Sequence, residues 1–228
     1  MKLTSEQISK LFIFTRQHFV EYFDVQSELV DHLANAIETE WQENPKISFE
    51  EALNKEFKKF GVFRFMDVVE QKQKQLRRKY HSIIWLHFKE FFGVPKIVVT
   101  ALSVFAMYIF LAQVAYPKEI VMSFYVVFLV IVFYQLIKNK NQQEKDSQKW
   151  LFKGIIFNYG STIGIFILLF QILNFSINRI EFFLGTNLFL LFMAIILVLL
   201  FVFGYIILFL IPSKADEYLG KTYPEFNL

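Results

Sequence analysis

Cysteine is absent from all 228 residues, which excludes disulfides, thiolate metal ligands and a cysteine nucleophile in one step. Charge is absent from four long blocks: residues 97–115, 120–137, 154–173 and 187–211 hold no Asp, Glu, Lys, Arg or His. Ion-coupled transporters and pumps place ionisable groups inside the bilayer, where they are costly and functional. With Gln113, Gln135, Asn158 and Gln171 as the strongest polar groups there, a pump or a proton relay is disfavoured. The opening MKLTSEQISK is not expected to act as a secretory leader, because no apolar h-region follows it.

What is present is grease. The chain is 55% hydrophobic with 30 Phe and only 20% charged residues, against about 45–50% and about 25% in soluble domains. Each uncharged block approaches the roughly 20 apolar residues that a helix needs to cross a hydrocarbon core. The blocks therefore predict four transmembrane helices.

The charge that exists is segregated. Residues 1–70 carry 8 Lys/Arg against 13 Asp/Glu, a net of −5, whereas residues 71–96 carry 7 basic residues against Glu90, a net of +6. The order is an acidic head, a basic collar and a membrane body. The short turns after the first and third blocks offer only Lys118 and Arg179, while the middle loop offers Lys138, Lys140, Lys145, Lys149 and Lys153. Basic loops stay cytoplasmic. That rule places both termini and the middle loop inside.

The expected fold is all-α: a small cytoplasmic helical bundle followed by a four-span transmembrane bundle. The expected divisions are a head at 1–70, a basic amphipathic juxtamembrane helix at 71–96, the spans within 97–211 and a cytoplasmic tail at 212–228. In the head, Thr4-Ser5-Glu6-Gln7 and Ser48-Phe49-Glu50-Glu51 have the spacing of capping boxes. Ile8, Leu11, Phe12, Thr15 and Phe19 form one apolar stripe. Asp24 suits an N-cap, and Val25, Leu29, Leu33, either Ala36 or Ile37, and Trp41 form the next stripe. Pro45 ends that helix, and Gly61 suits a left-handed C-cap after a third. A fourth helix starts near Arg64 and runs into the collar.

Three sets of residues are candidates for a role. Glu28, Asp31 and His32 lie at i, i+3 and i+4, so their side chains converge on one helix face. Two carboxylates and an imidazole are a metal-binding or acid–base vocabulary. No second His or acidic pair at metal-like spacing accompanies them, so no metal, cofactor or catalytic role is expected, and the face is a candidate partner surface. Arg77, Arg78, Lys79, Trp85 and Lys89 mix cations and aromatics just before a span, which suits anionic lipid of the cytoplasmic leaflet rather than nucleic acid. Gly160 and Gly164, in NYGSTIG, are four apart on one helix face and suit close helix packing. Glu144 with Asp146 and Asp216 with Glu217 are the remaining acidic pairs; Lys flanks both and no His accompanies either, as on solvated loops.

ELVDHL followed by ISFEEALNKEFKKFG resembles HAAS, a small helical signalling module of bacterial membrane proteins associated with PadR-type transcriptional regulators. The likeness covers roughly residues 5–70, with ENPKIS where that family has a Gly-Ser/Thr link. It implies an inner-membrane location and a head that relays through protein contacts, with Glu28, Asp31, His32 and Gly61 as fold-defining positions. The expected function is that of a non-enzymatic sensor or regulatory membrane protein with a cytoplasmic regulator as partner, and a homo-oligomer is compatible with it. The alternative is an accessory subunit of a transport complex.

Overall fold

Helices account for every regular element in the computed structural model, which describes residues 2–61, 65–143, 148–158 and 160–223; residues 142–143 and most of 160–185 are described by backbone alone. In chain order the elements are α1 (Ser5–Gln17), α2 (Phe23–Glu43), α3 (Phe49–Lys59), α4 (Phe65–Glu90), α5 (Lys96–Gln113), α6 (Pro117–Gln143), α7 (Leu151–Phe157) and α8 (Gly160–Tyr205). A π-helical segment at Ile206–Leu210 follows, then the short α9 (Ile211–Ser213) and α10 (Ala215–Thr222). The chain divides into two compact units. One comprises Met1–Lys79, Asp146–Ile155 and Leu219–Leu228; the other comprises Tyr80–Lys145 and Ile156–Tyr218.

Local chemistry explains the helix ends of the first unit. Thr4 and Gln7 close a full capping box on α1, and Ser48 and Glu51 close another on α3. Both satisfy N–H groups that have no partner inside the helix. Gly61, at φ +73°, takes the left-handed position after α3, which glycine adopts without a Cβ clash. Val25, Leu29, Leu33 and Trp41 of the stripe are buried, and Ile37 rather than the half-buried Ala36 completes it. Around it Phe57 packs edge-on to Phe14 at 4.9 Å and to His18 at 4.4 Å, and lies 4.9 Å from Phe65.

Two expectations for this unit are corrected. Phe19 does not join the α1 stripe: the helix stops at Gln17, and Phe19 turns left-handed at φ +66° with 84% of its surface exposed. The reversal lets Val20 enter the core in its place, fully buried. Asp24 is not the N-cap of α2. Tyr22 holds that position with no side-chain cap, and Asp24 sits inside the first turn, where a buried backbone N–H claims its carboxylate.

In the second unit, Lys96–Gln113, Pro117–Asn141 and Thr186–Ser213 are long and apolar enough to cross a membrane. The chain thus has the helices of an integral membrane protein. Leu111 of α5 and Val121 of α6 pack with Phe189, Leu190, Met193 and Leu197 of α8. Tyr125, Phe128 and Val132 of α6 pack with Leu200, Ile207 and Leu208 in a second cluster. The π segment has a covalent cause: Pro212 has no N–H to donate to Leu208, and its ring crowds that carbonyl, so the ladder shifts register just before it.

The backbone of α8 is helical across residues 174–186, where the sequence predicts a turn between two spans. That stretch, NFSINRIEFFLGT, contains no proline and is rich in Phe, Ile and Leu, so nothing in it forces the ladder to break.

Candidate functional site

Glu28, Asp31 and His32 all lie on the exposed face of α2, as their spacing demands. They do not form a cluster with one another. Glu28 pairs with Lys72 of α4, and the His32 ring meets Phe60 edge-on at 5.9 Å. Among the described residues no three His, Asp or Glu side chains gather as a metal site.

The collar residues diverge in role. Arg77 and Arg78 are exposed on α4. Lys79 donates to the Thr222 hydroxyl at 2.9 Å and lies 5.6 Å from the centre of the Phe152 ring. Lys89 sits 5.4 Å from the centre of the Trp85 ring, and Trp85 is 56% exposed, an amphipathic pair of the kind found at bilayer surfaces.

Gly164 has open space where a Cβ would stand, and the surroundings of Gly160 lie outside the described residues, as do Glu144 and Asp146. Among the described glycines, the one whose Cβ would collide with a neighbour is Gly204, against the Phe128 ring. Its only sequence signal is a small residue inside the aromatic run FVFGY.

A buried junction in the first unit was not legible from spacing. Asp24, 2% exposed, accepts the Leu151 N–H at 3.0 Å. The Phe23 N–H donates to the Lys149 carbonyl at 2.8 Å, and Lys149 pairs with Glu21 at 2.9 Å. Trp150 packs at 5.3 Å from Phe23 and 5.6 Å from Tyr223, and Lys72 lies 5.7 Å from the Tyr223 ring centre. Three stretches far apart in sequence thus share one core. Burial pushes the Asp24 carboxyl pKa up, against the pull of the Leu151 N–H and the neighbouring Tyr223 hydroxyl. The signal was there in WLF, three apolar residues in an otherwise charged loop.

The second unit holds its own polar cluster. His87, 7% exposed through its side chain, joins Glu90 through Nδ1 at 3.1 Å and the Tyr218 hydroxyl through Nε2 at 2.6 Å. Lys96 donates to the other oxygen of Glu90 at 3.0 Å. That hydrogen bond, with His87 alongside, holds the Glu90 carboxyl below its ordinary range.

No family model, curated protein or solved structure matches this chain. The second cluster sets the Tyr218 hydroxyl against an imidazole nitrogen of His87. The first is a structural junction, and the second is a charged wall of a cavity of about 500 Å³.

Proposed function

We propose that this chain is a four-span inner-membrane protein whose acidic head faces the cytoplasm and engages a regulatory protein, without catalysing a reaction itself. One observation carries the reading: the N-terminal helices, the end of the middle loop and the tail from Leu219 onward belong to a single unit. These are the three regions that Lys/Arg bias assigns to the same side of the membrane.

Parity then supports four crossings. Between Lys79 and Asp146 the chain leaves and rejoins that unit through two apolar helices, 96–113 and 117–141. Between Ile155 and Leu219 it does so again, and the span at 186–213 needs one companion to return to the same side. The apolar block at 154–173 supplies it. A straight α8 of 46 residues would be about 69 Å long, more than twice the hydrocarbon core of about 30 Å. In the bilayer it bends within 174–186.

The head offers a contact surface. Glu28, Asp31 and His32 are exposed on α2. Phe19 is an exposed aromatic held in a left-handed conformation that costs on the order of 1–3 kcal/mol. Strain of that kind persists where the surroundings impose it, and a large exposed aromatic is a common anchor at interfaces. The resemblance to the HAAS module is in keeping with a DNA-binding regulator as the partner.

The test is affinity purification of the tagged full-length protein from native membranes in mild detergent. Wild type is expected to retain a soluble DNA-binding regulator, and Phe19→Asp with Asp31→Lys is expected to lose it while keeping a wild-type melting profile. Retention of transporter subunits instead would replace this reading with that of an accessory chain.

A further inference from the structure

The cavity beside the His87 cluster has two chemically distinct walls. Its polar wall carries His87, Glu90, Lys96 and Lys214, and its apolar wall carries Val99, Val198 and Val202 with Tyr205 and Leu210. A volume of about 500 Å³ lies within the roughly 300–1,000 Å³ of ligand sites. Glu90 is the sole acid on this wall, and both its oxygens are engaged, by His87 and by Lys96. The Lys214 ammonium has no ion pair or hydrogen bond among the described residues. The polar wall therefore carries surplus positive charge.

The placement of the two lysines is the second observation. Lys96 is the first residue of α5, and Lys214 directly follows the apolar stretch Thr186–Ser213. One begins a span and the other ends one, yet both line the same cavity. They mark one membrane boundary, the level at which lipid phosphates lie. The valines and Tyr205 extend from that boundary along the apolar helices. The π segment ends at Leu210 on this wall, a backbone irregularity that recurs beside binding sites.

We propose that this cavity binds one anionic phospholipid, its phosphate between Lys96 and Lys214 and its acyl chain along Val99, Val198 and Val202. The proposal rests on the membrane reading above and adds to it a defined lipid site, separate from the basic collar. A free phosphate shares the chemistry of the polar wall, but the apolar wall gives it nothing to bury. A zwitterionic headgroup brings a quaternary ammonium against the surplus positive charge.

Carbonate washing of membranes comes first. Release of the wild-type protein would sink the membrane reading itself, whereas retention leaves the cavity to be judged alone. Native mass spectrometry of the full-length protein in detergent then follows, with phosphatidylglycerol, phosphatidylcholine or glycerol phosphate added. Wild type is expected to retain one phosphatidylglycerol, about fivefold better than phosphatidylcholine. Lys214→Gln should weaken it about fivefold, since each such charge near an anionic surface contributes that much. Lys214→Arg should keep it, and Val202→Trp, which fills the apolar end, should remove it. Arg77→Gln with Arg78→Gln, on the collar, should leave the retained lipid in place.

The proposal is overturned if Lys214→Gln and Val202→Trp both retain phosphatidylglycerol at wild-type levels, or if phosphatidylcholine binds equally. Displacement of the lipid by an equal concentration of glycerol phosphate would also overturn it, assigning the polar wall to a soluble phosphate.

Discussion

Directional contacts run through the first unit, whereas the second concentrates its described ones around His87 and packs its hydrophobic clusters by shape. In the head, capping boxes close two helices, the Glu40 carboxylate takes two 2.7 Å hydrogen bonds from Lys55, and Asp24 catches a buried N–H from a distant loop. In the membrane unit the two described hydrophobic clusters are aliphatic and aromatic, and at Gly204 the Phe128 ring leaves no room for a Cβ. The difference follows from solvent. Water around the head makes apolar burial profitable, so a few polar contacts suffice to choose the arrangement. Between helices in lipid the hydrophobic drive vanishes, and backbone proximity at small residues takes over.

The comparison breaks most visibly at Trp150. Trp150→Ala should destabilise the head by about 3–5 kcal/mol, the range for emptying a buried large aromatic site, although the residue lies in what reads as a loop. Thermal unfolding followed by Trp41 fluorescence checks this. An unchanged midpoint would mean that the loop does not belong to the head.

Next comes Gly204→Ala, expected to cost about 1–3 kcal/mol through overpacking against Phe128. The loss should appear in the melting of the detergent-solubilised membrane unit and leave head fluorescence untouched. Gly164→Ala, with open space around it, should change nothing there. Equal effects of the two substitutions would erase the distinction.

An effect of similar size sharpens the polar side. Asp24→Ala leaves the buried Leu151 N–H without its acceptor and should cost about 1–3 kcal/mol. Asp24→Asn keeps an acceptor and removes the charge. Burial raises the Asp24 pKa above its ordinary 3.8, so the folded head holds that proton more tightly than the unfolded chain. Its stabilising contribution is full below that value and is lost as pH rises through the raised folded value. The Asn variant therefore gains on wild type as pH climbs through that window, and matches it in strong acid. Melting curves from pH 3 to pH 7 test the sign; an Asn variant that loses ground with rising pH contradicts it.

The features visible in the sequence were the local ones. Thr4 with Gln7, Ser48 with Glu51 and Gly61 act within one helical turn, so four letters suffice to read them. The α2 stripe and the apolar spans are periodic or compositional and equally plain. What could not be read depends on partners distant in the chain. Trp150 needs Phe23 and Tyr223; Gly204 needs Phe128; the His87 cluster needs Tyr218. Phe19 misled because helical spacing continued past the point where the chain reversed. The pair Gly160 and Gly164 drew attention by spacing alone, whereas Gly204, the described glycine against which a Phe128 ring packs, has no glycine at such spacing.

The central claim is that the head, the end of the middle loop and the tail share one side of a four-span membrane protein. The absence of cysteine makes single-cysteine labelling direct. Lys118→Cys, Gln148→Cys, Asn178→Cys and Lys221→Cys would each be treated with a membrane-impermeant maleimide on intact cells and again after permeabilisation. The account predicts labelling of positions 118 and 178 in intact cells, and of positions 148 and 221 only after permeabilisation. Protection of position 178, or exposure of position 221, in intact cells would contradict it.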